Sequence, residues 1–97
     1  MVLPEQRIRV AATRVRIADV CVIDAAAPRE QVIKTPPLLC VEILSPDDTI
    51  KRLQSRIDDY LAMGVPCVWV IAPETRRAWI HQPGVIREVA GKRPQHS

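Results

Sequence analysis

Residues 38–60, LLCVEILSPDDTIKRLQSRIDDY, constrain the fold of this chain more than any other stretch. They open as an apolar run the length of one strand, break at Ser45-Pro46, and restart at Asp47-Asp48 as an amphipathic helix. Ile50, Leu53, Ile57, Tyr60 and Leu61 recur at three- and four-residue steps, which places them on one apolar stripe. Arg52, Arg56 and Asp59 fall beside the centre of that stripe. Asp47 or Asp48 is placed to cap the first turn, where an acid also meets the positive end of the helix dipole. Gly64 is placed to close the helix in a left-handed conformation, and Pro66 blocks its resumption. Cys67-Val68-Trp69-Val70-Ile71 then runs without a polar residue, the pattern of a central strand covered on both faces. Strand, helix and strand in this order can form a parallel crossover.

One residue breaks the apolar run. Glu42 stands in the middle of the first strand, sharing a face with Leu38, Cys40 and Leu44, while Leu39, Val41 and Ile43 take the other. An unpaired buried carboxylate is costly. Glu42 therefore meets an arginine from a neighbouring element or serves as a metal-binding carboxylate in a polar cleft.

Upstream, Arg7 and Arg9 alternate with Ile8 and Val10, and Arg14 and Arg16 with Val15 and Ile17, around Ala11-Ala12-Thr13. The alternation predicts a half-buried hairpin with four arginines on its polar face. Such a face is either a solvated, charge-guarded edge or a cationic track for phosphates. Residues 19–23 form a second apolar run headed by an acid, with Asp19, Cys21 and Ile23 on one face. Residues 25–34 are Ala-rich, broken by Pro28, and read as a loop; Thr35-Pro36-Pro37 then forces extended chain into the strand that holds Glu42. Beyond the turn at 72–76, residues 77–82 and 85–89 read as a hairpin around Pro83-Gly84, and 90–97 as a polar, basic tail. The expected class is α+β: a mixed β-sheet with one main amphipathic helix.

Composition narrows the function. Ninety-seven residues make a single small domain, 1–97, or part of a larger one. No apolar stretch approaches the ~20 residues a membrane-spanning helix needs. MVLPEQRIRV lacks the apolar block of a secretory signal, which points to the cytoplasm. Cys21, Cys40 and Cys67 form no CxxC pair and have no histidine at zinc-ligand spacing, so they read as core. The net charge of +3 is dispersed along the chain and compatible with a polyanion partner. Only Tyr60, Trp69 and Trp79 are aromatic, too few for a protein that stacks single-stranded bases. Trp79 and His81 alternate on one strand and read as filler without a role.

Two acids, Asp19 and Glu42, stand on successive strands joined by one loop. If those strands are neighbours with their faces aligned, the carboxylates converge at one edge of the sheet. Here the order of short motifs resembles a known family. RIADVCVI, then PPLLCVEILSPDD, then a helix ending RIDDYLAMGVPCVWVIAPETR, is similar to the Uma2 family of bacterial restriction-type endonucleases in the PD-(D/E)XK superfamily. The match covers residues 5–84. It implies a restriction-endonuclease-like core, a Mg²⁺ (or Mn²⁺) cofactor and DNA as substrate. By position Asp19 corresponds to the first metal-binding acid and Glu42 to the second.

The chain departs from the family pattern in three places. Ala18 replaces the proline that precedes the aspartate; Leu44, where the superfamily's usual lysine stands, is by contrast shared with the family. On the helix, where the family carries its lysine, this chain has Arg56. Arginine stabilises charge but does not titrate as a base. The N-terminal helical segment typical of the family is also missing before the hairpin. The resemblance thus implies a Mg²⁺-dependent phosphodiesterase, with Arg56 neutralising charge on the phosphate and Arg14 or Arg16 touching the duplex backbone. The competing expectation is a truncated, non-catalytic remnant or binding module of the same fold. Separately, the short length is compatible with a truncated gene product, a fragment that pairs with a copy of itself as a homo-oligomer, or a mis-assigned start.

Overall fold

The computed structural model describes residues 1–89, so the tail expected at 90–97 lies outside the described residues. The chain order is β1 (Val2–Ala11), β2 (Arg14–Val22), β3 (Val32–Ile33), β4 (Leu39–Ile43), α1 (Ile50–Met63), β5 (Val68–Ala72), β6 (Arg77–Gln82) and β7 (Val85–Glu88). The strands form one seven-stranded sheet in the order β3-β1-β2-β4-β5-β6-β7. β4 and β5 pair in parallel across α1, as do β1 and β3; the remaining pairs are antiparallel. The class is therefore α+β with a mixed sheet and one helix. No helix among the described residues is long and apolar enough to cross a membrane.

Helix α1 forms where the apolar stripe requires it, but its ends need correction. Thr49, rather than Asp47 or Asp48, is the N-cap: its hydroxyl accepts from the Arg52 N–H at 3.1 Å. Asp48 turns back instead and accepts from the Ser45 N–H and hydroxyl, which closes the turn before the helix. Ile50 is 85% exposed and drops out of the stripe. Ile57 and Tyr60 carry the buried face. Gly64 ends the helix at φ 107°, and the Gly64 and Val65 N–H groups return to the Leu61 and Tyr60 carbonyls. A Cβ there would meet Pro36 at 3.4 Å, so the proline-rich approach to β4 packs beneath this cap.

The N-terminal hairpin follows a different register from the one its alternation suggests. The two predicted runs at 14–17 and 19–23 are one continuous strand, β2. Arg16 pairs with Ile8, whereas Arg7 pairs with Ile17 and Arg9 with Val15. Directly opposed residues share a face, so the four arginines are split. Arg14 and Arg16 lie with Ile8 and Val10 on the helix side, and Arg7 and Arg9 on the other side with the exposed Val15 and Ile17. The face toward the core also changes along the hairpin. Ile8, Val10 and Ala18 face it at one end, and Leu3, Cys21 and Ile23 at the other. The switch falls at the step of Glu5, whose φ of 45° is left-handed, and Asp19.

The loop at 25–34 is irregular as expected except for Val32–Ile33, which adds β3 beside β1. Cys21 and Cys40 lie opposite each other, fully buried, with their thiols pushed up by burial; Cys67 is partly exposed. β5 is central in the sheet yet covered on one face only. Val68 and Val70 pack under α1, while Trp69 is 42% exposed. Among the described residues no element covers the opposite face. An unbroken apolar run therefore did not mean burial on both sides.

Candidate metal centre around Glu42

Glu42 is 2% exposed and, with His81, one of two buried polar side chains among the described residues. Its position follows from β4, where it shares the helix side with Cys40 while Val41 and Ile43 take the other. Both carboxylate oxygens are engaged. Arg56 Nε donates to Oε1 at 2.8 Å, and the Tyr60 hydroxyl donates to Oε2 at 3.0 Å. Arg56 and Tyr60 are four residues apart, so one turn of α1 presents both to the same strand. The guanidinium is thus directed at Glu42, as the flank of the stripe predicts. Its two terminal nitrogens, Nη1 and Nη2, also lean toward Asp48 Oδ1, each at 3.4 Å.

Asp19 approaches from the neighbouring strand. The β2–β4 ladder pairs Val20 with Val41, Cys21 with Cys40 and Val22 with Leu39. One step beyond the Val20–Val41 pair, Asp19 Oδ2 accepts from the Ile43 N–H at 2.7 Å, so the carboxylate continues the ladder where the backbones separate. This lodges Asp19 against the residue next to Glu42.

The electrostatics follow from the burial. Loss of water raises the Glu42 pKa above the ordinary carboxylate range; Arg56 and the Tyr60 hydroxyl pull it back, and the negative charge of Asp19 pushes it up. Burial likewise raises the Tyr60 phenol, and the Glu42 charge adds to it. Asp48 is held below its usual value, first by the Ser45 N–H.

The buried Glu42 and half-buried Asp19 offer hard oxygen donors, and a cation would offset the repulsion between them. No third His, Cys, Asp or Glu joins them in a metal-holding group among the described residues. That donor set fits Mg²⁺, which keeps several waters and is bound through one or two carboxylates. It does not resemble a closed zinc site.

Arg14 is exposed and Arg16 half-buried. Both contact Asp59 on α1: Arg14 through two bonds of 2.9 and 2.8 Å, and Arg16 Nε at 2.8 Å. Arg16 also donates to the Ser55 hydroxyl. Tyr60, Asp48 and Asp59 were not singled out from the sequence. For Tyr60 the signal was present in its four-residue step from Arg56; for Asp59 none was, because its partners are more than forty residues away. His81 is buried on β6 and without a role at this site.

Comparison with known proteins identifies the family and the fold. The model of the Uma2 family, described as "Putative restriction endonuclease", matches residues 1–96. No curated protein matches the chain. Among solved structures, the chain is similar to "a putative nuclease belonging to DUF820" from Anabaena variabilis. The TM-score is 0.78 at 18% sequence identity, over 93% of this chain and 54% of that one. At that identity the likeness is one of fold, and this chain spans about half the length of its structural neighbour.

Proposed function

The chain belongs to the Uma2 family, and from that premise we propose that it is a Mg²⁺- or Mn²⁺-dependent endonuclease core that hydrolyses phosphodiester bonds in DNA. The observation that carries this reading is that Asp19 is bonded to the Ile43 N–H, one residue past the buried Glu42, and that its charge adds to burial in raising the Glu42 pKa. Asp19 and Glu42 would hold the ion. When bound, such an ion lowers the pKa of a water and offsets negative charge on a phosphate oxygen.

The chain's own residues do the rest. Tyr60 fixes one oxygen of Glu42 and so sets the direction of the carboxylate. Asp19 is fixed by the Ile43 N–H, leaving its other oxygen without a hydrogen-bond partner among the described residues. Arg56 remains protonated throughout, which excludes it as a base and suits it to offset charge on the phosphate. Arg14 and Arg16 are committed to Asp59 and are left out of the proposed DNA contact.

Plasmid cleavage with Mg²⁺ or Mn²⁺ tests the proposal on the unaltered chain, Arg56→Lys and Asp19→Ala. The expected result is slow, chelator-sensitive nicking by the unaltered chain, faster nicking by Arg56→Lys and background for Asp19→Ala. Cleavage that survives Asp19→Ala or chelation would overturn it. Silence in all three, with folding intact, would favour the non-catalytic binding module.

A further inference from the structure

We propose that Arg56 is an internal competitor for the divalent cation: its guanidinium must leave Glu42 for Asp48 before a cation can occupy Glu42. The proposal rests on the reading of Asp19 and Glu42 as a metal pair and adds to it a regulation by this chain's own arginine. Each Glu42 oxygen already accepts one bond, Oε1 from Arg56 and Oε2 from Tyr60, so an incoming ion meets the guanidinium at the same carboxylate. Two cations on one buried carboxylate repel each other strongly, because 2% exposure leaves little water to screen them. Removing the guanidinium with nothing in its place would leave an uncompensated buried charge. Guanidinium and metal therefore exchange.

Asp48 is the place prepared for the displaced group. Its Oδ2 is held by the Ser45 N–H at 2.9 Å and the Ser45 hydroxyl at 3.2 Å, which fixes Oδ1 toward Arg56. Both terminal nitrogens of Arg56 stop 3.4 Å from that oxygen, longer than an engaged charge-assisted bond of about 2.7–2.9 Å. A short swing would close the gap. The Asp48 side chain is 21% exposed against 3% for Glu42, so the displaced charge also gains water. Tyr60 keeps Glu42 from following the guanidinium outward.

Apparent affinity falls by the fraction of molecules competent to bind, so an arginine in place ~90% of the time weakens metal binding about tenfold. Calorimetric titration of Mn²⁺ into the full chain tests this. Arg56→Gln is expected to bind about tenfold tighter or better. Asp48→Asn should bind more weakly than the unaltered chain, and Asp19→Ala not at all. Arg52→Gln removes the same charge from the same helix and should change affinity less than threefold. Equal gains in Arg52→Gln and Arg56→Gln, or no gain in Arg56→Gln, would overturn the competition while leaving the metal pair standing. Binding that survives Asp19→Ala, or no binding by any variant, would overturn the metal pair and the competition together.

A second measurement on the unaltered chain guards against misfolded variants. With Mg²⁺ and ¹⁵N-labelled protein, the Ile43 amide reports on Asp19 and the Arg56 Nε–H reports on Glu42. Both signals are expected to move to new positions at saturation. Movement of Ile43 with Arg56 unmoved overturns the proposal alone; no movement of either overturns the metal pair as well.

Discussion

Glu42, Arg56 and Tyr60 join β4 to α1 inside the protein, while Asp59, Arg14 and Arg16 join β2 to the same helix at its surface. Both clusters span strand and helix with bonds of 2.8–3.0 Å. They differ in water. Glu42 is buried, whereas the Arg14 side chain in the other cluster is 53% exposed. Similar distances therefore carry different energies, because solvent weakens exposed pairs and side-chain ordering offsets much of what remains. In the buried cluster the larger quantity is the cost of leaving a partner alone.

The largest expected effect separates the two at once. Glu42→Ala breaks the buried pair, leaves the Tyr60 hydroxyl alone and the Arg56 guanidinium with Asp48 only, and should destabilise the fold by about 3–5 kcal/mol in denaturant unfolding. The paired replacement Glu42→Leu with Arg56→Met removes both charges and should recover most of that loss. A loss below ~1 kcal/mol for Glu42→Ala would erase the distinction between the clusters.

Tyr60→Phe probes the same cluster with less damage. It deletes one hydroxyl under an unchanged ring and leaves Glu42 Oε2 without a donor, for a loss of about 1–3 kcal/mol. Equal stability of the two proteins would show that water takes the hydroxyl's place.

Asp59→Asn probes the exposed cluster. A loss of about 0.2–1 kcal/mol per ion pair is expected, and raising the salt concentration should shrink it. The Glu42→Ala loss should hold under the same salt. If both respond to salt alike, Glu42 is more hydrated than its burial indicates.

The smallest effect is a pH slope from His81, the second buried polar residue. Burial lowers its pKa and the charge of Asp58 opposes the shift in part. With the folded value below the unfolded value of about 6.5, protons bind the unfolded chain first. Stability is thus full above that value and falls as the pH drops through it toward the folded value. His81→Gln should flatten this slope between mildly alkaline and mildly acidic buffer, as read by thermal unfolding. An unchanged slope would assign it to other groups.

The sequence by itself determined the elements whose signals are local. The apolar stripe through Ile57 and Tyr60, the left-handed Gly64 and the strand around Glu42 follow from spacing of a few residues, and the order of motifs marked the family. A carboxylate amid apolar neighbours also announced that Glu42 required a partner, but the packing of α1 on β4 decided that Arg56 supplies it. Tertiary structure decided the remainder. The register of β1 on β2 set which arginines face the helix, since alternation defines two faces without saying which one is covered. Thr49 prevailed over the two aspartates as cap because Asp48 was already held by Ser45. Asp19 met the Ile43 N–H only because β2 and β4 separate at that step. These outcomes depend on contacts between residues distant in the chain, and a period read along one segment contains no information about the segment it will meet.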